Sequence, residues 1–111
     1  MKVAIVGSRN LTVDDFSEYL PRETTEIISG GAKGIDSCVE EYAARNHIKF
    51  TVIKPEYEKF GRLAPILRNK TIVSQSDAVV AVWNGESKGT AFVIRECKRQ
   101  NKPCKTVIIK K

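Results

Sequence analysis

Apolar residues along this chain form short continuous runs that alternate with stretches of helical periodicity. The runs at 2–6 and 78–83 contain at most one polar residue, which is typical of strands covered on both faces in a parallel sheet. The run at 78–83 is the most apolar, and we expect it to be a central strand. The strands predicted in this way cover residues 2–6, 25–29, 48–53, 78–83 and 104–109.

Helical patterns lie between these runs. Apolar side chains recur at three- and four-residue steps from Ile35 to Ala43, which is the pattern of a helix with one buried stripe. Thr12 or Asp14 is a suitable cap for a short helix that Pro21 would end. The predicted helices cover residues 12–20, 34–46, 64–75 and 90–100.

The alternation of strands and helices predicts an α/β fold. We expect a three-layer Rossmann-like sandwich of about five mostly parallel strands, with helices on both faces and right-handed crossovers. The length of 111 residues predicts a single domain over residues 1–111. The chain has no apolar stretch near the roughly 20 residues that span a bilayer, and its start does not resemble a signal peptide. We therefore expect a cytoplasmic protein without membrane contact.

The net charge and the cysteine and histidine residues bear on which ligands the protein could bind. The formal net charge of +6 favours encounters with polyanions, although much of it falls late in the chain, where a solvated helix face and tail explain it. Cys38, Cys97 and Cys104 are widely spaced and form no CxxC pair, and His47 is the only histidine. We predict free thiols, no metal site, no cofactor and a structural role for His47. The late basic residues are Lys98, Arg99, Lys102, Lys105, Lys110 and Lys111.

Three glycine-containing loops follow predicted strands, at 7–9, 29–36 and 85–90. The carboxyl ends of parallel strands meet at one edge of a sheet, so we expect these loops to converge. Glycines leave backbone N–H groups bare at the start of a helix, where an anion is favoured. The sequence therefore predicts a phosphate-binding crevice at this edge, although tight turns without a ligand would give the same pattern.

Several side chains in and near these loops could bind a nucleotide. Arg9 offers a planar fork for a phosphate, and Ser8 and Thr90 offer hydroxyl groups that would bind phosphate or cap a helix. Asp36 would repel a phosphate, so we expect it to face a sugar hydroxyl or a backbone N–H, with the phosphate nearer residues 85–90. Trp83 would stack on a base or fill the core. The predicted ligand-binding residues are Gly7, Ser8, Arg9, Ser29, Gly30, Gly31, Ala32, Gly34, Asp36, Arg68, Asn69, Gly85, Ser87, Gly89 and Thr90.

These motifs, in this order, resemble the SLOG superfamily, which joins the Smf/DprA DNA-processing proteins to the Lonely Guy phosphoribohydrolases. The resemblance rests on four motifs: Gly7-Ser8-Arg9, the stretch from Ser29 to Asp36, Arg68-Asn69, and the stretch from Gly85 to Thr90. Residues 61–69 are similar to the YspA-like small single-domain branch. The resemblance implies a Rossmann-like domain that binds a nucleotide or nucleotide derivative, and a homo-oligomer.

The chain departs from the Lonely Guy pattern where those enzymes carry Pro-Gly-Gly-x-Gly-Thr-x-x-Glu. Val93 occupies the position of the glutamate that serves cleavage of the N-glycosidic bond, and Glu96 lies one turn later. Asn84 and Glu86 stand at the positions of the proline and the second glycine. We therefore expect no enzyme of this type. In a hydrolase the catalytic carboxylates would have to be Asp36 or Glu96.

Three functions remain open from the sequence. The favoured one is binding of a nucleotide or nucleotide-derived ligand. The alternatives are a phosphoribohydrolase acting on nucleoside monophosphates and DprA-like binding of single-stranded nucleic acid, with Tyr57, Phe60 and Trp83 as stacking surfaces. We do not expect a dinucleotide-dependent oxidoreductase, because Gly-x-Gly-x-x-Gly does not follow the first strand.

Overall fold

The computed structural model describes residues 1–31 and 34–109. Five parallel strands form one sheet in the order β3-β2-β1-β4-β5, which confirms the predicted α/β Rossmann-like fold. The strands are β1 Lys2–Gly7, β2 Glu26–Ser29, β3 Lys49–Val52, β4 Ala78–Trp83 and β5 Cys104–Ile108. The helices are α1 Ile35–Arg45, α2 Tyr57–Phe60, α3 Ala64–Gln75 and α4 Lys88–Arg99, and Gly61–Leu63 form a turn of 3-10 helix.

Strand β1 lies at the centre of the sheet. It pairs with β2 on one side, where Val3 faces Ile27, and with β4 on the other, where Ile5 faces Val80. The chain runs outward from β1 to β3 and then returns to β4, so the strand order reverses between β1 and β4. A crevice opens beyond the carboxyl ends of the strands at such a reversal. Strand β4 is thus an interior strand beside the central one.

Apolar side chains cover both faces of the sheet. On one face, α1 packs through Ile35 and Val39, and the ring of Phe16 meets Tyr42 edge to face at a centroid distance of 5.5 Å. On the other face, α3 and α4 contribute Ile72 and Val93 among others. Helices on both faces were predicted from the alternation of elements, and this arrangement confirms it.

The predicted helix over 12–20 is wrong, because the segment between β1 and β2 consists of bends and turns. Leu11 and Phe16 are fully buried and cover the sheet without helical backbone. The carboxylate of Asp15 accepts a 2.9 Å hydrogen bond from the backbone N–H of Ser17, a local turn that competes with helix formation. The segment between β3 and α3, where no helix was predicted, contains α2 and the 3-10 turn.

Helices α1 and α4 end in the same way. His47 and Asn101 each adopt the left-handed conformation with φ of 55°. The next backbone N–H then returns to the last helical turn, from Ile48 to the oxygen of Ala43 at 3.0 Å and from Lys102 to that of Cys97 at 2.8 Å. These are Schellman motifs, which satisfy carbonyl groups at a helix end. His47 therefore has the structural position that was predicted for it.

Over residues 1–31 and 34–109, no helix is both long and apolar enough to cross a membrane.

Candidate functional site

A cavity of about 450 Å³ opens at the carboxyl edge of the sheet, between the ends of β1 and β4. Its wall combines residues from the loop after β1, the loop after β2, helix α3 and the start of α4. The expected convergence of distant loops therefore occurs at this edge. The predicted residues that line the cavity are Gly7, Ser8, Arg9, Gly30, Asp36, Arg68, Asn69, Ser87, Gly89 and Thr90.

Four other predicted residues lie beside the cavity without lining it: Ser29, Gly31, Gly34 and Gly85. The hydroxyl of Ser29 accepts a 3.4 Å hydrogen bond from the N–H of Gly31. Gly34 has φ of 75°, and a Cβ there would collide with the carbonyl oxygen of Arg9, so it allows the start of α1 to approach the loop after β1. These residues shape the loops. Ala32 was also predicted, but it lies outside the described residues.

Ser8 joins three elements at the base of the cavity. It is almost fully buried, with 1% of its surface exposed. Its N–H donates to the oxygen of Val82 at 3.1 Å, and its carbonyl oxygen accepts from the N–H of Ile35 at 3.4 Å. Its hydroxyl oxygen accepts from the N–H of Asn84 at 3.2 Å. Ser8 therefore holds the ends of β1 and β4 against the start of α1.

Asn84 organises the loop before α4, a role that the sequence reading did not assign to it. Its Oδ1 accepts the N–H groups of Glu86 and Ser87, both at 2.8 Å, and its Nδ2 donates to Oδ1 of Asn10 at 3.1 Å. An asparagine directly after an apolar strand and before a glycine is a signal for this turn. The cavity-lining residues that were not predicted are Val6, Asn10, Pro65, Ile72, Asn84 and Val93.

Arg68 links α3 to the loop after β2. Its Nη1 donates to the carbonyl oxygen of Gly30 at 2.7 Å, and its Nε donates to Oδ1 of Asn69 at 2.8 Å. Burial of the guanidinium lowers the pKa of Arg68, and the nearby carboxylate of Asp36 opposes this effect. The side chain lines the cavity while two of its donors are already bound to protein.

Arg9 differs from Arg68 because its guanidinium is exposed at the cavity and has no hydrogen bond or ion pair with any residue of 1–31 and 34–109. Among the described residues, the charged groups of the cavity wall are the guanidinium groups of Arg9 and Arg68 and the carboxylate of Asp36, which is 6% exposed. The excess of positive charge favours an anionic ligand.

The start of α4 is the helix end better suited to a phosphate. Ser87 caps it, since its hydroxyl oxygen accepts from the N–H of Thr90 at 3.4 Å and from the Thr90 hydroxyl at 3.3 Å. The first turn of α4 contains no acidic residue, whereas that of α1 contains Asp36. A Cβ on Gly89 would meet open space, so the cavity reaches the backbone there.

Neither Glu96 nor Trp83 lines this cavity. Glu96 is 4% exposed and accepts hydrogen bonds from Arg99 and Gln100, which lower the pKa of its carboxyl to about 2. The indole N–H of Trp83 donates to the carbonyl oxygen of Ser87 at 3.0 Å, so this side chain supports the loop before α4. Val93, at the position of the Lonely Guy glutamate, does line the cavity.

No group of three or more His, Cys, Asp or Glu within the described ranges could hold a metal ion.

Comparison with protein families is decisive for the relationship of this chain. The family model for DNA recombination-mediator protein A matches residues 1–60, which is more than half of the 111 residues. The chain belongs to the DNA recombination-mediator protein A family. The searches of curated proteins and of solved structures found no match.

The matched region contains β1 to β3 and two of the three predicted loops. It confirms the predicted relationship to the Smf/DprA proteins of the SLOG superfamily. Arg68-Asn69 and the loop before α4 lie outside the matched residues. The likeness of residues 61–69 to the YspA-like branch stays a prediction.

Proposed function

We propose that this member of the family binds a nucleotide or nucleotide-derived ligand in the cavity between the carboxyl ends of β1 and β4. The observation that carries the proposal is that one cavity is lined both by Arg9, whose guanidinium has no partner among the described residues, and by the start of α4, whose first turn has no acidic residue. Both features favour a phosphate, and they come from segments about 80 residues apart in sequence. The volume of about 450 Å³ lies within the range of small-molecule sites.

The cavity has two chemically different ends, which supports one orientation of the ligand. The phosphate lies at Gly89 and Thr90, within reach of Arg9. The carboxylate of Asp36 accepts a hydrogen bond from a sugar hydroxyl, because a carboxylate is a poor neighbour for a phosphate but a good acceptor for a hydroxyl. We assign no role in binding to Glu96, whose carboxylate is held by Arg99 and Gln100.

Single-stranded nucleic acid is a second candidate ligand, and the family relationship favours it. The net charge of +6 supports attraction to a polyanion. Tyr57 and Phe60 are 59% and 39% exposed, and Tyr57 lies near Arg68, a residue of the cavity wall. If the ligand is single-stranded nucleic acid, one nucleotide occupies the cavity and its neighbours stack on the rings of Tyr57 and Phe60.

A phosphoribohydrolase is not proposed. Its glycosidic bond would lie near Val93, which has no group for acid–base catalysis. Two further expectations stay predictions. One is a single domain over residues 1–111, and the other is assembly of the chain with copies of itself.

The proposal is tested by calorimetric titration of the wild type, Arg9→Ala and Arg95→Ala with a nucleoside monophosphate and with a single-stranded oligonucleotide. Arg95 is an exposed arginine of α4 outside the cavity, so its variant matches the change in net charge. Loss of a charged hydrogen bond of about 1.5–3 kcal/mol should weaken binding to Arg9→Ala at least tenfold. Equal affinities of the two variants would contradict the proposed site.

Competition then separates the two ligands. A mononucleotide that binds alone and displaces the oligonucleotide supports a shared phosphate site in the cavity. Oligonucleotide binding that is strongly weakened by salt, with no binding of the mononucleotide, would support the second candidate over the first. Release of free base from the mononucleotide would overturn both in favour of a hydrolase.

A further inference from the structure

Two of the three cysteines lie side by side in the fold. Cys97 is in the last turn of α4 and is 1% exposed, and Cys104 is the half-buried first residue of β5. Cys97 belongs to the apolar cluster between the sheet and helices α3 and α4, and Cys104 packs against that cluster, with the two thiol groups close enough to interact. All three cysteines are free thiols in this structure.

The turn between α4 and β5 produces this contact. Asn101 has φ of 55°, and the N–H of Lys102 closes the helix on the carbonyl oxygen of Cys97 at 2.8 Å. The carbonyl oxygen of Pro103 then accepts the N–H of Val79 at 2.9 Å, which fixes the start of β5 beside β4. The reversal returns the chain to the last turn of the helix, so residues seven apart in sequence become neighbours.

From this geometry we infer that Cys97 and Cys104 form a reversible intramolecular disulfide when the protein meets a hydroperoxide. Cys104 is the thiol that reacts first, because it is the more accessible of the two. The contact with Cys97 also lowers the pKa of the Cys104 thiol below its usual range. The same contact and burial raise the pKa of Cys97, which keeps its proton.

The chemistry needs only the two thiols and the peroxide. The Cys104 thiolate attacks one peroxide oxygen, so that an S–O bond forms, the O–O bond breaks, and the leaving hydroxide or alkoxide takes up a proton. The sulfur of Cys97 then attacks the sulfenic acid of Cys104. An S–S bond forms, the S–O bond breaks, and the departing hydroxide leaves as water with the proton of Cys97. Two thiols are oxidised by two electrons, and the peroxide is reduced to water, or to water and an alcohol.

The consequence for the fold is a covalent link between α4 and the edge strand β5. Helix α4 also supplies Gly89 and Thr90 to the cavity, although these residues lie at its other end. The inference does not depend on the proposed nucleotide site, and the experiment below does not use a ligand.

The test is intact-mass analysis of the reduced protein before and after treatment with hydrogen peroxide. We expect the monomer to lose about 2 Da, the mass of two hydrogen atoms, and to regain it with dithiothreitol. Peptide mapping should place the link between Cys97 and Cys104. Cys38→Ser is the matched control and should behave as the wild type, because Cys38 packs on the opposite face of the sheet.

Single variants identify the order of the two steps. Cys97→Ser should not show the mass loss of about 2 Da, and it should accumulate a Cys104 sulfenic acid that dimedone traps. Cys97→Ala tests the same point if the serine variant does not fold. Cys104→Ser should show neither product. A wild type without the mass loss, or a mass loss that persists in both Cys97 variants, would overturn the inference.

Discussion

Nη1 of Arg68 donates a 2.7 Å hydrogen bond to the carbonyl oxygen of Gly30, 38 residues earlier in the chain. The bond connects the middle of α3 to the loop that follows β2. A Cβ on Gly30 would lie 2.7 Å from the same nitrogen, so the glycine leaves room for the guanidinium. Two parts of the cavity wall are thereby fixed relative to each other.

Gly30→Ala should displace Arg68 without removing its charge. The added methyl group is too close to Nη1, so the guanidinium must shift, which weakens its bond to the Gly30 oxygen. We expect the free energy of unfolding to fall by no more than about 1.5–3 kcal/mol, the cost of losing a hydrogen bond to a charged group. Urea denaturation measures this change.

A double-mutant cycle shows whether the loss acts through Arg68. Arg68→Ala removes the group that the methyl would hit, so Gly30→Ala should cost less in that background than in the wild type. Equal costs in the two backgrounds would mean that the methyl group disturbs the loop independently of Arg68.

The position of the cavity could be predicted from the sequence because it follows from topology. Apolar runs identified parallel strands, and the carboxyl ends of such strands share one edge, so loops distant in sequence had to meet there. The role of Arg68 could not be resolved in the same way. An arginine in the middle of a helix is compatible with solvent or with the cavity, and only the packing of α3 against the sheet decides between them.

Two features of the structure were not predicted from the sequence: the non-helical segment around Phe16 and the role of Asn84. Apolar residues around Phe16 are spaced as in a helix, but the turn formed by Asp15 and Ser17 and the burial of Phe16 against the sheet stabilise a non-helical path. Asn84 was noted only as a departure from the Lonely Guy pattern. The bond from its N–H to the Ser8 hydroxyl and the bond from its side chain to Asn10 depend on where those residues lie in space, which sequence spacing does not reveal.

Gly89→Ala and Gly85→Ala should change stability in opposite directions. A Cβ at either position meets open space, but Gly85 has φ of 86° and Gly89 is helical. Alanine lowers the entropy of the unfolded chain, so Gly89→Ala should raise the free energy of unfolding by about 0.4–1 kcal/mol. Gly85→Ala should lower it, because an L side chain is strained at that φ. Thermal unfolding of both variants measures the contrast.

Binding provides a second measurement on the same pair. The methyl group of Gly89→Ala would cover backbone at the proposed phosphate position, so nucleotide affinity should fall although the protein becomes more stable. An unchanged affinity would place the phosphate elsewhere in the cavity.

Thr90→Val should weaken nucleotide binding and leave the fold intact. The Thr90 hydroxyl donates to the Ser87 hydroxyl oxygen at 3.3 Å, and Thr90 lines the cavity. Loss of one hydrogen bond of about 0.5–1.5 kcal/mol corresponds to a decrease in affinity of roughly two- to tenfold. Thr90→Ser keeps the hydroxyl and is the control. Wild-type affinity of the valine variant would exclude Thr90 from the site.

Stability should depend on pH through Glu96. Hydrogen bonds from Arg99 and Gln100 lower the pKa of this carboxyl from 4.5 to about 2, so the folded protein binds the proton less readily than the unfolded chain. The ionised form therefore stabilises the fold above about pH 4.5, and this contribution disappears as the pH falls toward 2. We expect Glu96→Gln to be less stable than the wild type at pH 7 and nearly equal to it close to pH 2.

Glu40→Gln is the control for this comparison, because it removes an exposed carboxylate and so matches the change in net charge. Urea denaturation of the three proteins across this range measures the difference, and a deficit of Glu96→Gln that is as large near pH 2 as at pH 7 would show that ionisation of Glu96 does not stabilise the fold.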